Sequence, residues 1–349
     1  MLPVKVVLIA SLFAGAATSK PIGHETLDSL FKKHGKLFYG SATDTELQNH
    51  TIGPEYNHTL ANEFGAIVPC NCLKFDSTEP NQGEFEYGYC DQVLEFAQKN
   101  NQPMRGHNFV WHSQVPEWVT EGGFSKEELQ DIMENHIRNV GGHYKGKLIH
   151  WDVVNEALQA DGTLRNGTDS VWYNSTDGPE YIYNAFKIAR DVDPDAKLYY
   201  NDFDIDRKCE KSEGALKLLQ DIKDNGSPID GVGLQGHFNI ENPPTYDELV
   251  TLFNRYTDLD LDLLITELDV SMELDNINFQ KQADVYRDVV RACLDVKRCV
   301  GIMLWDWTDR YSWIPSNDSS KGYACQWDDN LHKKPAYYSV KHLLQHHHS

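Results

Sequence analysis

Residues 148–157 read Leu-Ile-His-Trp-Asp-Val-Val-Asn-Glu-Ala, a short apolar run rich in β-branched residues that ends on Asn155 and Glu156. Residues 263–269 repeat the plan, with a second apolar run ending on Glu267. A carboxyl group at the mouth of a buried strand lies over an apolar floor. Desolvation there favours the neutral acid, whereas nearby donors favour the anion. Two such groups can divide proton transfer and nucleophilic attack between them, which is what cleavage of a glycosidic bond needs. Either glutamate alone reads as well as a rim charge or a helix N-terminal acid. The pair makes a candidate site.

The elements that must position this pair follow from the hydrophobic pattern. Short apolar runs recur at 37–42, 64–69, 104–110, 149–154, 198–200, 231–234, 263–266 and 301–304. Helical spacing lies between most of them. Leu129, Ile132, Met133, Ile137 and Val140 follow Ser125, an N-cap that Glu128 completes as a capping box. Ile182 to Ala189, Ala215 to Ile222, Leu249 to Tyr256 and Ala283 to Cys293 carry the same periodicity. Eight strands alternating with helices predict an α/β protein, a (β/α)8 TIM barrel. No linker or repeat interrupts residues 20–345, so a single catalytic domain is expected there. There is no Gly-x-Gly-x-x-Gly fingerprint to suggest a nucleotide. In such a barrel the chemistry sits after the strands. Those positions hold Asn71 and Lys74, His107 through His112, Asn155 and Glu156, Asn201 and Asp202, Gln235 and His237, Glu267, and Trp305.

The ends and totals narrow the setting. Residues 1–19 read as a signal peptide, with Lys5, an apolar core at 6–14 and small residues before the cut, so the protein is expected to be secreted and extracellular. No later run approaches the roughly 18 apolar residues of a membrane helix. Glycosylation sequons then acquire meaning at Asn49, Asn57, Asn166, Asn174, Asn225 and Asn317. With 53 acidic and 32 basic residues the chain is strongly anionic. That argues against nucleic acid or an anionic membrane as partner and suits a neutral substrate, although solubility alone would also explain it. Of seven cysteines, Cys293 and Cys299 are the best disulfide candidates, and the odd total leaves at least one thiol. Cys70-x-Cys72 lacks zinc-site spacing and a second pair, so neither metal nor cofactor is expected. The protein is expected to be a monomer, and residues 346–349 a solvated histidine-rich tail.

Seven segments in order carry a resemblance to glycoside hydrolase family 10, the endo-1,4-β-xylanase family. They are Lys74-Phe75-Asp76-Ser77-Thr78-Glu79-Pro80, the run from Arg105 to Gln114, Trp151-Asp152-Val153-Val154-Asn155-Glu156, Tyr200-Asn201-Asp202, Gln235-Gly236-His237, Ile265-Thr266-Glu267-Leu268-Asp269, and Cys293 with the run from Cys299 to Ile302. The resemblance implies a retaining mechanism on xylan or xylo-oligosaccharides. Glu156 would be the acid/base and Glu267 the nucleophile, their carboxyl groups roughly 5–5.5 Å apart. It makes His237 the donor to Glu267 and Asn155 the ligand of the sugar 2-hydroxyl. Lys74, His107 and Gln235 would be hydroxyl ligands or a network holding the glutamates, with Lys74 also helping to keep Glu267 ionised. Asn71 and Gln114 join them as substrate-binding candidates. Trp305 and Trp313 resemble the pair that closes over the cleaved sugar, Trp111 is weighted toward packing, and Trp307 is expected to pack away from the site.

The pattern breaks in three places. The family usually reads Glu-Asn-x-x-Lys-Trp where this chain has Cys70-Asn71-Cys72-Leu73-Lys74-Phe75. The missing glutamate would bind the sugar one place beyond the cleaved one. Either that subsite is altered or Cys70 is tied in a disulfide, with Cys90 or another thiol. Asp204 stands where asparagine is more usual, and Trp305-Asp306-Trp307 replaces a Trp-Gly segment. A same-family glycosidase acting on a plant saponin such as α-tomatine is therefore an alternative. A non-catalytic carbohydrate-binding protein is another, but it would be expected to have lost one of the two glutamates.

Overall fold

A computed structural model describes residues 25–44 and 52–347. The expected signal peptide, Asn49 and His348 lie outside the described residues. Eight parallel strands form the barrel: β1 (Phe38–Thr43), β2 (Ile67–Pro69), β3 (Arg105–Trp111), β4 (His150–Asn155), β5 (Lys197–Asp202), β6 (Gly231–Leu234), β7 (Asp262–Glu273) and β8 (Cys299–Leu304). Their ladders run β2-β1-β8-β7-β6-β5-β4-β3, and one parallel bridge between Ile67 and Met104 closes β2 onto β3. The fold is the expected (β/α)8 barrel. The apolar run at 64–69 yields only three strand residues, because Phe64 instead caps the helix Gly53–Glu63.

Local chemistry sets the helices. Ser125 and Glu128 form a reciprocal capping box for Lys126–Tyr144, which buries Leu129, Ile132, Met133, Ile137 and Val140. Thr245 and Glu248 do the same for Tyr246–Thr257. Inside the barrel Phe38, Ala42, Val68, Tyr199, Leu264 and Met303 pack below Trp305. Gly40 makes room there, since a Cβ would stand 2.3 Å from Met303 Sδ. The floor under the strand ends is therefore largely apolar, with the buried Arg105, Asp152 and His150 as its polar members.

Cys293 and Cys299 form a disulfide with Cα atoms 5.2 Å apart. The second bridge decides between the two alternatives for Cys70. Cys90 pairs with Cys72, Cα to Cα 5.4 Å, and Cys70 is a free thiol. Cys70 packs inward with Val68 and Trp305, while Cys72 belongs to the outer layer of helices that contains Cys90. The histidine-rich end also departs from a solvated tail. The last helix, Pro335–His346, includes His346, and His347 Nε2 lies 3.2 Å from Asp295 Oδ1. No described helix is long and apolar enough to cross a membrane.

Candidate active site

One row of residues crosses four strands in register at their C-terminal ends. Trp111 faces Asn155, Asn155 faces Asn201, and Asn201 faces Gly233. Gly233 is required because a Cβ there would meet Asn201 Oδ1 at 2.2 Å. The Asn201 amide occupies that space. Its Oδ1 accepts from Thr266 Oγ1 at 2.6 Å, and its Nδ2 donates to Glu267 Oε1 at 2.8 Å and to Asn155 Oδ1 at 2.9 Å. The Asn155 oxygen faces the amide N–H groups of Asn201 and Gln235 and is their acceptor. Gln235 Nε2 reaches Glu156 Oε1 at 2.9 Å and completes a polar path from one glutamate to the other.

The two glutamates have different surroundings. Glu267 is buried, with Oε2 3.2 Å from His237 Nε2 and Oε1 4.0 Å from His107 Nδ1. Burial alone would push its carboxyl up, but the His237 bond, the His107 and His237 charges and the Asn201 donor outweigh it and hold it down at about 2. His237 sits in a short strand, His237–Asn239, whose register with β7 places it opposite Asp269. Its Nδ1 lies 2.9 Å from Asp269 Oδ2, so both ring nitrogens face carboxylates and both donate. Burial opposes its charge, yet Asp269 and Glu267 raise its pKa well above the usual histidine range. Glu156 is half-buried and receives only neutral donors, Trp111 Nε1 at 2.9 Å on Oε2 and Gln235 on Oε1. Its backbone adopts φ 54°, a left-handed conformation costly for a residue with a side chain. Gln114, Asp204 and Asp306 share that conformation and also line the cleft.

The cleft above the barrel has a volume of about 840 Å³. It brings together Asn71, Lys74, His107, Trp111, Gln114, Asn155, Glu156, Gln235, His237, Glu267, Trp305 and Trp313, every site residue singled out from the sequence. Trp313 Nε1 donates to Asp269 Oδ2 at 2.8 Å, and its ring meets the His237 ring edge-on at 4.9 Å. Trp305 meets His107 edge-on at 5.3 Å. Trp307 is fully buried against Tyr56, away from the cleft. Trp111 departs from a purely packing role, since it faces the cleft and touches Glu156. Lys74 Nζ bonds Asn71 Oδ1 at 3.0 Å and Gln114 Oε1 at 2.7 Å, and its charge acts favourably on Glu267 across the cleft without a direct ion pair. Among the described residues no group of three or more His, Cys, Asp or Glu side chains is arranged to hold a metal ion.

This geometry has close counterparts. The sequence pattern of glycosyl hydrolase family 10 matches residues 26–343. The chain belongs to glycosyl hydrolase family 10. It is a glycoside hydrolase. An endo-1,4-β-xylanase of Agaricus bisporus is 40% identical over 323 residues, covering 92% of this chain and 95% of that one. Endo-1,4-β-xylanase 2 of Aureobasidium pullulans is 44% identical over 81% of this chain and 80% of its own. The crystal structure of xylanase 10B from Thermotoga petrophila in complex with xylobiose superposes with a TM-score of 0.89 at 35% identity, covering 93% of this chain and 98% of that one.

Within this family 10 site, sequence reasoning missed the residues that hold the named ones. Asp152 lies wholly buried between Arg105 at 2.6 Å and His107 at 2.9 Å, fixing the imidazole. Asn201 and Asp269 were visible only as strand-end polar residues inside longer motifs. Their signal was position, a polar residue ending an apolar run, but nothing in the sequence told which neighbour each would meet. Of the sequons, Asn317 is exposed on the lip of the cleft and Asn166 is exposed away from it. Asn174 and Asn225 are exposed but bonded, to the Gly167 carbonyl and to Lys187, and Asn57 is half-buried in a helix.

Proposed function

We propose that this chain is a secreted, retaining endo-1,4-β-xylanase that cuts internal β-1,4-xylosidic bonds of xylan through a covalent glycosyl-enzyme. The unequal hydrogen-bonding of the two glutamates carries this reading. Glu267, anionic beside the His237 imidazolium and the Asn201 donor, attacks the anomeric carbon. Glu156, held by neutral donors only, gives its proton to the departing glycosidic oxygen as the bond breaks. Water then enters, Glu156 takes a proton from it, and the resulting hydroxide displaces Glu267 with net retention. Asn155, adjacent to both, is the ligand for the 2-hydroxyl, a contact that strengthens in the transition state. His107, Lys74, Gln235, Asn71 and Gln114 supply further donors to hydroxyl groups, and Trp305, Trp313 and Trp111 cover the sugar faces.

Xylan is favoured over a saponin because the relatives named above are xylanases and one solved neighbour holds xylobiose. Secretion is supported by the leader-like residues 1–19. The test is hydrolysis of arabinoxylan, linear xylo-oligosaccharides and α-tomatine side by side, with Glu267→Gln as control. Short xylo-oligosaccharides released early from the polymer, as β-anomers by proton NMR, are the expected result. An α-anomer first, full turnover by Glu267→Gln, or cleavage of the saponin alone would sink the assignment.

A further inference from the structure

Asp306 follows β8, beside Trp305, and lines the cleft next to Cys70. Only 5% of it is exposed. Its Oδ1 is sealed from solvent without a hydrogen-bond partner, and among the described residues no cation pairs with either oxygen. The Tyr56 hydroxyl stands close and donates to Thr43 Oγ1 at 3.0 Å. A buried carboxyl oxygen without a partner is costly unless something else satisfies it, and among the described residues Tyr56 is the one neighbour that bonds this carboxyl. The backbone adds a second cost, because Asp306 has φ 63°, where glycine or asparagine would be easier. Two unfavourable features coincide at one residue of the cleft lining, where a bound ligand rather than the fold can offset them.

The wall around it identifies the ligand. β8, β1 and β2 are neighbours, and their ends present Asp306, Asp44 and Cys70 on one side of the cleft. Burial pushes the Cys70 thiol well up, so it is a neutral and weak hydrogen-bonding group. Around Asp306 stand Asp44, Asp269, Tyr56 and Cys70, with no base among them. Burial first, then the Asp44 charge and, least, the Asp269 charge push its carboxyl well above the usual carboxylate range, against an opposite pull from the Tyr56 hydrogen bond. A neutral carboxyl offers one O–H to donate and one oxygen to accept, the pair of roles a sugar hydroxyl reciprocates. An anionic or metal ligand is disfavoured, the first by the surrounding acids and the second by the protonated state.

We propose that Asp306 is a specificity-determining sugar ligand, bonding the xylose unit one place beyond the cleaved sugar on the wall where Cys70 makes no strong hydrogen bond. The proposal rests on the xylanase reading and sharpens it. Two aryl glycosides separate the subsites: 4-nitrophenyl β-xylobioside places a second xylose on this wall, and 4-nitrophenyl β-xyloside does not. Asp306→Gly removes the side chain without straining a positive φ, and Asp306→Asn keeps a neutral donor and acceptor. Asp306→Gly should lower kcat/KM on the xylobioside about 10-fold, the size of one lost hydrogen bond, and leave the xyloside within about 2-fold. Asp306→Asn should lose less than about 3-fold on either. Equal losses on both substrates, no loss on the xylobioside, or a loss in Asp306→Asn matching that in Asp306→Gly would overturn the proposal. Inactivity of the unmodified enzyme on both aryl glycosides would instead strike the xylanase reading, which keeps the two failures distinct.

Discussion

Asn201 Nδ2 donates to Glu267 Oε1 at 2.8 Å, from an amide that Thr266 holds on its other side. Asn201 is thus a fixed donor aimed at the proposed nucleophile, and its removal unmasks the burial that opposes the Glu267 charge. Asn201→Ala should lower kcat/KM on xylan by roughly 10- to 100-fold, the cost of a hydrogen bond to a charged group. The acid limb of the pH–rate profile should move to higher pH, because Glu267 would ionise less readily. An unmoved acid limb would contradict the role.

As the proposed general acid, Glu156 should matter most where the leaving group is poor. Glu156→Gln should reduce turnover of xylan by about 10²- to 10⁴-fold, the usual contribution of a positioned general acid. An aryl xylobioside with a strongly acidic phenol departs without that proton, so formation of the glycosyl-enzyme should suffer far less. Equal losses on both substrates would argue against proton donation by Glu156.

The Glu267–His237 pair links activity to stability. Glu267 ionises at about 2 in the fold against 4.5 when unperturbed, so its stabilisation is present above about 4.5 and is lost as pH falls toward 2. His237 is raised above 6.5, so its stabilisation is complete below that value and is lost as pH climbs through the raised one. Glu267→Gln should flatten the acid limb of a urea-midpoint profile and shorten the alkaline reach of the histidine. Superimposable profiles for the two proteins would be the contrary outcome.

The bridge Cys72–Cys90 closes a loop with a sequence separation of 18 that carries Asn71 and Lys74 at its edge. Replacing both cysteines by serine should cost about 3 kcal/mol by loop-closure entropy and raise KM, since the Lys74 contacts to Asn71 and Gln114 lose their anchor. Urea unfolding and steady-state kinetics of the double variant measure both effects.

Asn317 lies on the lip of the cleft, and a glycan there would crowd an entering polymer. Material carrying that glycan should process arabinoxylan more slowly than the Asn317→Gln variant while matching it on xylotriose. Mass spectrometry of the intact glycopeptide decides occupancy, and equal rates on the polymer with the glycan present would refute the crowding.

The barrel was legible because short apolar runs alternate with segments of helical period. β4 and β7 end apolar stretches on polar residues, and Ser125 with Glu128 spells a helix start in four letters. The site residues were legible as strand ends, and no more. Which nitrogen reaches Glu267 depends on the register of the short His237–Asn239 strand, and the room for Asn201 depends on Gly233, one strand away. Both are pairings between distant segments, which periodicity does not encode. The Cys72–Cys90 choice had the same origin, because Cys70 stays on the inner side with Val68, whereas the chain turns once β2 ends at Pro69 and carries Cys72 to the outer layer that holds Cys90.

The closure of the cylinder between β2 and β3 rests on a three-residue strand and a single backbone bridge, while other neighbours share several rungs. Amide hydrogen exchange should accordingly be quickest along this line, where the sheet can part without breaking a long ladder. The sulfur bridge from Cys72 to Cys90 stands just beyond β2 and limits how far such parting travels. Breathing of the wall that carries Asn71 and Lys74 should thereby be confined to small excursions, by a clasp placed where the hoop is thinnest.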